Sequence, residues 1–318
     1  MKIFTIGCGR WGAFIAWYLD SIGHTVSLWG REGSQRLAEL VATRANGTVR
    51  LPDSITLTSD VEGARDADAV VISVPSQSLR PLLRSLPENI LDGRTLVLCM
   101  KGIEIGSGKR LSQICREELG ERVKVAVWLG PGHVQEFTAG RPNCMVIDSD
   151  DEEVKHKLIS EFSSALIRFY YGTDLVGNEI GAAAKNVVGI AAGVLDALGL
   201  SSLKGALMAR APREISRLVE ALGGNPVSGY GLCHIGDYEA TVFSRYSHNR
   251  LFGECLVTGK EPEGLAEGYY TVKALVELGE RLGVELPICT AVYNICYTGA
   301  AIDTEMEALF ARSLKHEF

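Results

Sequence analysis

Residues 2–29, KIFTIGCGRWGAFIAWYLDSIGHTVSLW, leave little freedom in how they fold. A short β-branched run is followed by G-x-G-x-x-G at Gly7, Gly9 and Gly12, then by an apolar helical run. Gly23 stops the helix, and TVSLW reads as a second strand. Strand, glycine turn, helix and strand within about thirty residues form the context in which this motif binds a dinucleotide. Gly7 permits the tight turn, Gly9 lets backbone approach a pyrophosphate, and Gly12 allows close helix–strand packing. The helix amino terminus adds N–H groups and a positive dipole for the phosphates. A tight turn with no ligand is the competing interpretation. After the second strand, Arg31 stands where an acid would hold the ribose hydroxyls of NAD, which favours, or at least tolerates, the 2′-phosphate of NADP, a solvated surface arginine being the competing interpretation.

The rhythm continues with ADAVVISVP (67–75), TLVLCMKG (95–102) and VKVAVWLGPGH (123–133). Uninterrupted Val, Ile and Leu point to a parallel sheet covered on both faces. Ligands of such sheets lie beyond the carboxyl ends of the strands. Pro75, Lys101 and Gly130 fall at those ends.

From about residue 176 the periodicity becomes helical, in GNEIGAAAKNVVGIAAG (177–193), KGALMARAPREISRLVEALGG (204–224), GYYTVKALVELGERLGV (268–284) and PICTAVYNICYTG (287–299). A chain of 318 residues exceeds one ordinary core. The expected organisation is therefore a mostly parallel α/β domain of Rossmann type over 1–175 and an all-helical domain over 176–318. The last residues, SLKHEF, read as a short frayed tail.

One lysine interrupts the small residues of 177–193. Gly181, Ala182, Val188 and Gly189 share its helical face, so Lys185 projects from a surface nearly bare of side chains. It is either a lysine snorkelling at a core rim or a buried amine aimed at a ligand. Between later helices, GLCHIGDYEATVFSRYSHNRLFGE (231–254) is dense in polar groups and reads as a binding surface or a polar loop.

A net charge of −7 argues against a nucleic-acid partner. The eight cysteines are scattered without a CxxC pair, which implies reduced thiols and no metal site. The uncharged stretch Asn186 to Leu195 is too short to span a bilayer.

Taken together, GCGRWG (7–12), SVPSQSLR (73–80), KGIE (101–104), GPGHVQE (130–136), GAAAKNVVGIAAG (181–193), GDYEAT (236–241), SHNRLFG (247–253), AEG (266–268) and LPI (286–288) resemble the NAD(P)-dependent glycerol-3-phosphate dehydrogenase family. The resemblance implies reversible reduction of dihydroxyacetone phosphate to sn-glycerol 3-phosphate with NADH or NADPH, supplying a glycerophospholipid precursor. It further implies a small phosphorylated substrate, a homodimer and a cytoplasmic location. By position, Lys185 matches the catalytic lysine, and Lys101 a lysine beside substrate and nicotinamide. Asp237 and Thr241 match residues at the polyol end. Asn186, Gly130, Ser247, His248 and Asn249 fall with the substrate. Gly7, Gly9, Arg10, Trp11, Gly12, Arg31, Pro75, Lys101, Val134, His248 and Glu267 fall with the cofactor.

Two departures stand out. His248 occupies the place of a phosphate-binding Arg, and Gly132-His133 replaces a hydroxyl and an aromatic residue. A His does not match the bidentate grip of Arg; Arg245 or Arg250 is the available compensation. A dehydrogenase of another phosphorylated or anionic hydroxy compound, and a non-catalytic NAD(P)-binding sensor, are the alternatives. In the catalytic case Lys185, its pKa lowered by Lys101, exchanges the proton, Lys101 polarises the carbonyl and Asp237 orients Lys185.

Overall fold

The computed structural model describes residues 1–262, 264–314 and 316. The expected tail at 313–318 falls partly outside them. Among the described residues eight strands form one sheet: β1 (Lys2–Ile6), β2 (Thr25–Trp29), β3 (Thr56–Thr58), β4 (Ala69–Ile72), β5 (Thr95–Leu98), β6 (Lys124–Leu129), β7 (Asn143–Ser149) and β8 (Ile167–Tyr171). Helices α1 (Arg10–Ser21), α2 (Gln35–Thr43), α3 (Leu79–Ser85), α4 (Leu111–Leu119), α5 (Val134–Thr138) and α6 (Glu152–Phe162) connect them. Then follow α7 (Leu175–Ala197), α8 (Leu203–Ala221), α9 (His248–Thr258), α10 (Glu267–Leu282), α11 (Pro287–Tyr293) and α12 (Ile302–Phe310).

The strand order is β3-β2-β1-β4-β5-β6-β7-β8, parallel throughout except for β6 with β7. Buried runs such as AVVI in β4 are fully covered, as their composition requires. The order reverses direction between β1 and β4, and ligands of doubly wound sheets sit at such a switch point. The glycine turn after β1 and Pro75 after β4 both lie there. The antiparallel pair was not legible in the sequence. The short α5 joins β6 to β7, and antiparallel neighbours need no long crossover. An aromatic core of Phe14, Tyr18, Trp128, Phe137, Phe162 and Phe169 lies under the sheet. Trp11 packs on Phe14 and Phe137 at 5.1 and 6.4 Å between ring centroids.

The chain divides into two compact units, Met1–Lys101 with Lys109–Glu179, and Gly102–Gly108 with Ile180–Phe318. The division falls inside α7, and the short segment 102–108 joins the second unit, for which the sequence gives no sign. In the second unit α7 runs against α9 at backbone contact. A Cβ on Gly193 would lie 1.9 Å from the Arg250 carbonyl oxygen, and one on Gly253 would lie 2.1 Å from that of Ile190. Helix α7 has the length and composition of a membrane span, yet 83% of that window is buried inside the protein, as in a core helix.

Candidate active site

In the first unit, Gly7 adopts φ +113°, and a Cβ there would meet the Ser73 carbonyl oxygen at 2.1 Å. A Cβ on Gly12 would meet the Gly7 carbonyl oxygen at 1.9 Å. These two glycines are spent on the turn itself. Gly9 differs: among the described residues its Cβ would find just the Arg36 guanidinium, 3.5 Å away. Gly9 is the N-cap of α1 and makes no side-chain cap, so the first-turn N–H groups of Arg10, Trp11 and Gly12 face no capping side chain. A pyrophosphate fits that bare, positively polarised helix start. Arg10 is exposed, whereas Trp11 is half-buried against the aromatic core. Val134 is buried in the core cluster, and its carbonyl accepts from the Thr138 hydroxyl at 2.9 Å.

Past β2, residues Arg31 to Arg36 line a shallow cavity of about 510 Å³. Arg31 is exposed there, and Ser34 caps α2 by accepting from the Leu37 N–H at 3.4 Å. Arg36, which no sequence expectation included, reaches from this cavity over the glycine turn. Arg31 and Arg36 should therefore differ in effect. Arg31→Ala is expected to raise KM for NADPH about tenfold while KM for NADH stays within about twofold, the loss of one charge-assisted phosphate contact. Arg36→Ala should weaken both cofactors alike, and steady-state kinetics with each cofactor checks the split.

Lys101 and Gly130 come together at the carboxyl ends of β5 and β6. The Lys101 ammonium donates to the Gly130 carbonyl at 2.7 Å. Pro75 opens a 3₁₀ turn, Ser76–Ser78, at the end of β4. The replacement at Gly132 has a local cause. Its φ is +152°, and a Cβ would press into the Phe137 ring at 2.3 Å, so no hydroxyl-bearing side chain fits.

In the second unit, Lys185 is 8% exposed and Asp237 fully buried. The Lys185 Nζ lies 3.0 Å from Asp237 Oδ2 and donates to Thr241 Oγ1 at 2.7 Å. The Thr241 hydroxyl donates in turn to the Asp237 carbonyl at 2.8 Å, which leaves its oxygen to accept from the lysine. The chain segment that supplies Asp237 and Thr241 is a 3₁₀ turn, Ile235–Asp237, continued as a π-helical turn, Glu239–Phe243. The glycines of α7 admit this segment. A Cβ on Gly189 would meet Thr241 Cγ2 at 2.8 Å and Asn249 Cβ at 3.2 Å, and one on Gly181 would meet His234 Cβ at 2.9 Å.

Asn249 donates to Asn186 Oδ1 at 3.0 Å and accepts from the Gly268 N–H at 2.8 Å, tying α7, α9 and α10 together. Ser247 caps α9 by accepting from the Arg250 N–H at 3.3 Å. His248 opens α9, half-buried, with Gly264 so close that a Cβ there would lie 2.5 Å from Nδ1. Glu267 opens α10. Arg250 cannot replace the missing arginine, because its guanidinium is held by Asp196 and Glu254, each at 2.7 Å. Arg245 is exposed and rests on Tyr246.

His234, a residue the sequence did not single out, is fully buried. Its Nδ1 is 2.9 Å from the Gly181 carbonyl, and the Tyr238 hydroxyl is 2.9 Å from Nε2. A carbonyl accepts only, so Nδ1 carries the proton and Nε2 accepts from Tyr238. Burial pushes the imidazole down to about 4, with Lys185 adding to the effect and Asp237 opposing it. The unfolded chain binds a proton at this residue near pH 6.5, while the folded one stays neutral to about pH 4. Stability from this group is complete above 6.5 and falls with pH through that window, by up to about 3 kcal/mol. Urea unfolding of wild type and His234→Asn at neutral and acid pH should show the steeper acid loss in wild type. The comparison with a variant is needed because Asp148 and Glu214, raised by burial, act in the opposite direction.

A groove of about 940 Å³ between α8, α11 and α12, lined by Leu207, Ile288, Val292 and Leu309, includes none of Lys185, Thr241 or Asp237. Its volume does not mark the chemistry.

Comparison with known proteins settles the lineage. The model of the NAD-dependent glycerol-3-phosphate dehydrogenase N-terminus matches residues 2–155, and that of its C-terminus matches residues 174–307. The chain belongs to this family. It is 37% identical to a glycerol-3-phosphate dehydrogenase [NAD(P)+] of Prosthecochloris aestuarii, covering all of both chains. With the enzyme of the same name from Streptomyces coelicolor it shares 36% identity over 100% of this chain and 98% of the relative. The crystal structure of glycerol-3-phosphate dehydrogenase from Coxiella burnetii superposes with a TM-score of 0.91 at 26% identity, over 98% of this chain and 99% of that one. The Rossmann-type sheet followed by helices is thus the fold of the family.

Proposed function

We propose that Lys185 is the proton donor in the reduction of dihydroxyacetone phosphate to sn-glycerol 3-phosphate, and the acceptor in the reverse direction. Membership of the family makes the chain an NAD(P)-dependent oxidoreductase, a glycerol-3-phosphate dehydrogenase. Residues of α1 and the 31–36 turn would hold the dinucleotide, which would supply the hydride when bound. Reduction of a ketone leaves an alkoxide that must be neutralised where it forms. The observation that carries the proposal is the buried ammonium of Lys185 fixed by Asp237 and Thr241. Two acceptors set its direction, and the carboxylate compensates its charge out of water. A protein that merely binds a dinucleotide needs no proton donor.

Lys101, held by Gly130, is assigned to polarise the substrate carbonyl. Ser247, His248 and Asn249 at the start of α9 are assigned to the phosphate, with Arg245 as the exposed cation of that segment. Thr241 is assigned to the polyol end and Asn186 to the substrate. His248 with Arg250 already committed favours a second reading, a different phosphorylated or anionic hydroxy substrate. A homodimer follows from the resemblance alone. A cytoplasmic location agrees with the lack of a disulfide among the described cysteines.

The test is oxidation of NADPH, then NADH, by the purified protein with dihydroxyacetone phosphate, followed by absorbance. Rapid turnover at sub-millimolar substrate is the expected result. Tight cofactor binding without turnover would turn the search to other phosphorylated ketones.

A further inference from the structure

We propose that His234 is a positioning residue for the reaction, setting the Lys185 ammonium against Asp237 through a single imidazole. The proposal rests on the assignment of Lys185 as proton donor. In the helix ladder of α7, the Gly181 carbonyl is the acceptor for the N–H of Lys185, four residues on. His234 Nδ1 donates to that same carbonyl at 2.9 Å. At its other end the residue begins the turn that carries the carboxylate, because the Asp237 N–H donates to the His234 carbonyl at 3.0 Å. The imidazole therefore clamps the backbone turn of the ammonium to the backbone turn of its counter-ion.

Three further observations fit this task. Gly181 lacks the Cβ that would stand 2.9 Å from His234 Cβ, so the close approach depends on a glycine. Tyr238, one residue beyond Asp237, donates to Nε2 and so fixes the tautomer that places the proton on Nδ1. Full burial, with Lys185, Asp237 and Tyr238 as its titratable neighbours, keeps the ring neutral at working pH. A neutral ring holds the geometry without adding a charge beside the ammonium. His234 touches the two backbone turns and Tyr238; its effect on the reaction passes through Lys185.

The experiment compares His234→Leu, His234→Asn and Tyr238→Phe, each in wild type and in Lys185→Ala. Leu removes both hydrogen bonds. Asn keeps a donor at the position of Nδ1 and gives up the acceptor for Tyr238. Displacement of a reacting group by about an ångström costs about 100-fold. His234→Leu is therefore expected to lower kcat about 10- to 100-fold, with KM for dihydroxyacetone phosphate and the dissociation constant of NADPH within about twofold. His234→Asn and Tyr238→Phe should stay within about threefold of wild-type kcat. In Lys185→Ala, adding His234→Leu should leave the residual rate unchanged, since the clamp then has nothing to aim.

Equal losses for Leu and Asn would overturn the proposal, as would a further loss in the Lys185→Ala background. If His234→Leu does not fold, the Asn and Phe variants decide. A loss of kcat in His234→Asn as large as that in Lys185→Ala overturns the proposal, and near wild-type kcat in both supports it. Failure of the underlying assignment reads differently, as wild-type kcat in Lys185→Ala itself.

Discussion

Lys185→Ala lowers kcat by about three orders of magnitude and leaves NADPH binding near wild type. The size follows from what is removed. General acid catalysis by a placed group contributes about 10²- to 10⁴-fold, and a charge facing a developing oxyanion contributes a similar factor. The nucleotide contacts assigned to α1 and the 31–36 turn involve other residues, so fluorescence titration with NADPH should give an unchanged dissociation constant. Added methylamine or ethylamine should restore part of the rate, because the alanine leaves room where the ammonium stood. Loss of NADPH binding together with turnover in a variant that stays folded would mean that the lysine supports the cofactor site, and the fall in kcat would then not report the proton.

Part of this was legible in the sequence for physical reasons. Gly7 and Gly12 could be read because each fills a turn that no Cβ survives. Strands β4, β5 and β6 could be read because burial on both faces forces largely apolar runs. Lys185 drew notice as a charge among glycines, yet the glycines proved to make room for protein. Gly189 and Gly181 admit Thr241 and His234, and Gly193 admits the backbone of α9. Sequence spacing shows that something comes close but not what. For the same reason the pairing of α7 with the 231–254 segment, some fifty residues on, could not be derived from periodicity, and the resemblance supplied it.

Other features lacked any local signal. His234 is one histidine in a polar run, and its function arises from a carbonyl 53 positions earlier. Ser247 read as a phosphate ligand, and its oxygen also caps α9. Arg250 read as a spare cation until its partners Asp196 and Glu254 came into view. Gly132 read as a change in the substrate region, and the structure traces it to positive φ beside Phe137. The lowered lysine pKa expected from Lys101 considered like charges alone, and the structure adds a carboxylate 3.0 Å from Lys185.

The second large effect concerns that carboxylate. Asp237→Ala strands the ammonium of Lys185 in a site where the two side chains are 10% and 1% exposed. Breaking one partner of such a pair costs about 3–5 kcal/mol, because a buried charge is left uncompensated. The variant should unfold at markedly lower urea and lose about 100-fold in kcat as the lysine loses its direction. Lys185→Met should show a comparable loss of stability from the stranded carboxylate. The double variant Lys185→Met/Asp237→Leu separates structure from chemistry. Replacing both charges with apolar side chains of similar size is often neutral or stabilising, so the unfolding midpoint should return most of the way to wild type. The activity should not return, since the proton donor is gone. A double variant as unstable as the singles would mean that the pair holds the helices together, and its place in the reaction would lose its main support. Recovery of stability without activity would instead show that the fold tolerates two apolar residues at these positions and that the ion pair is retained for the proton.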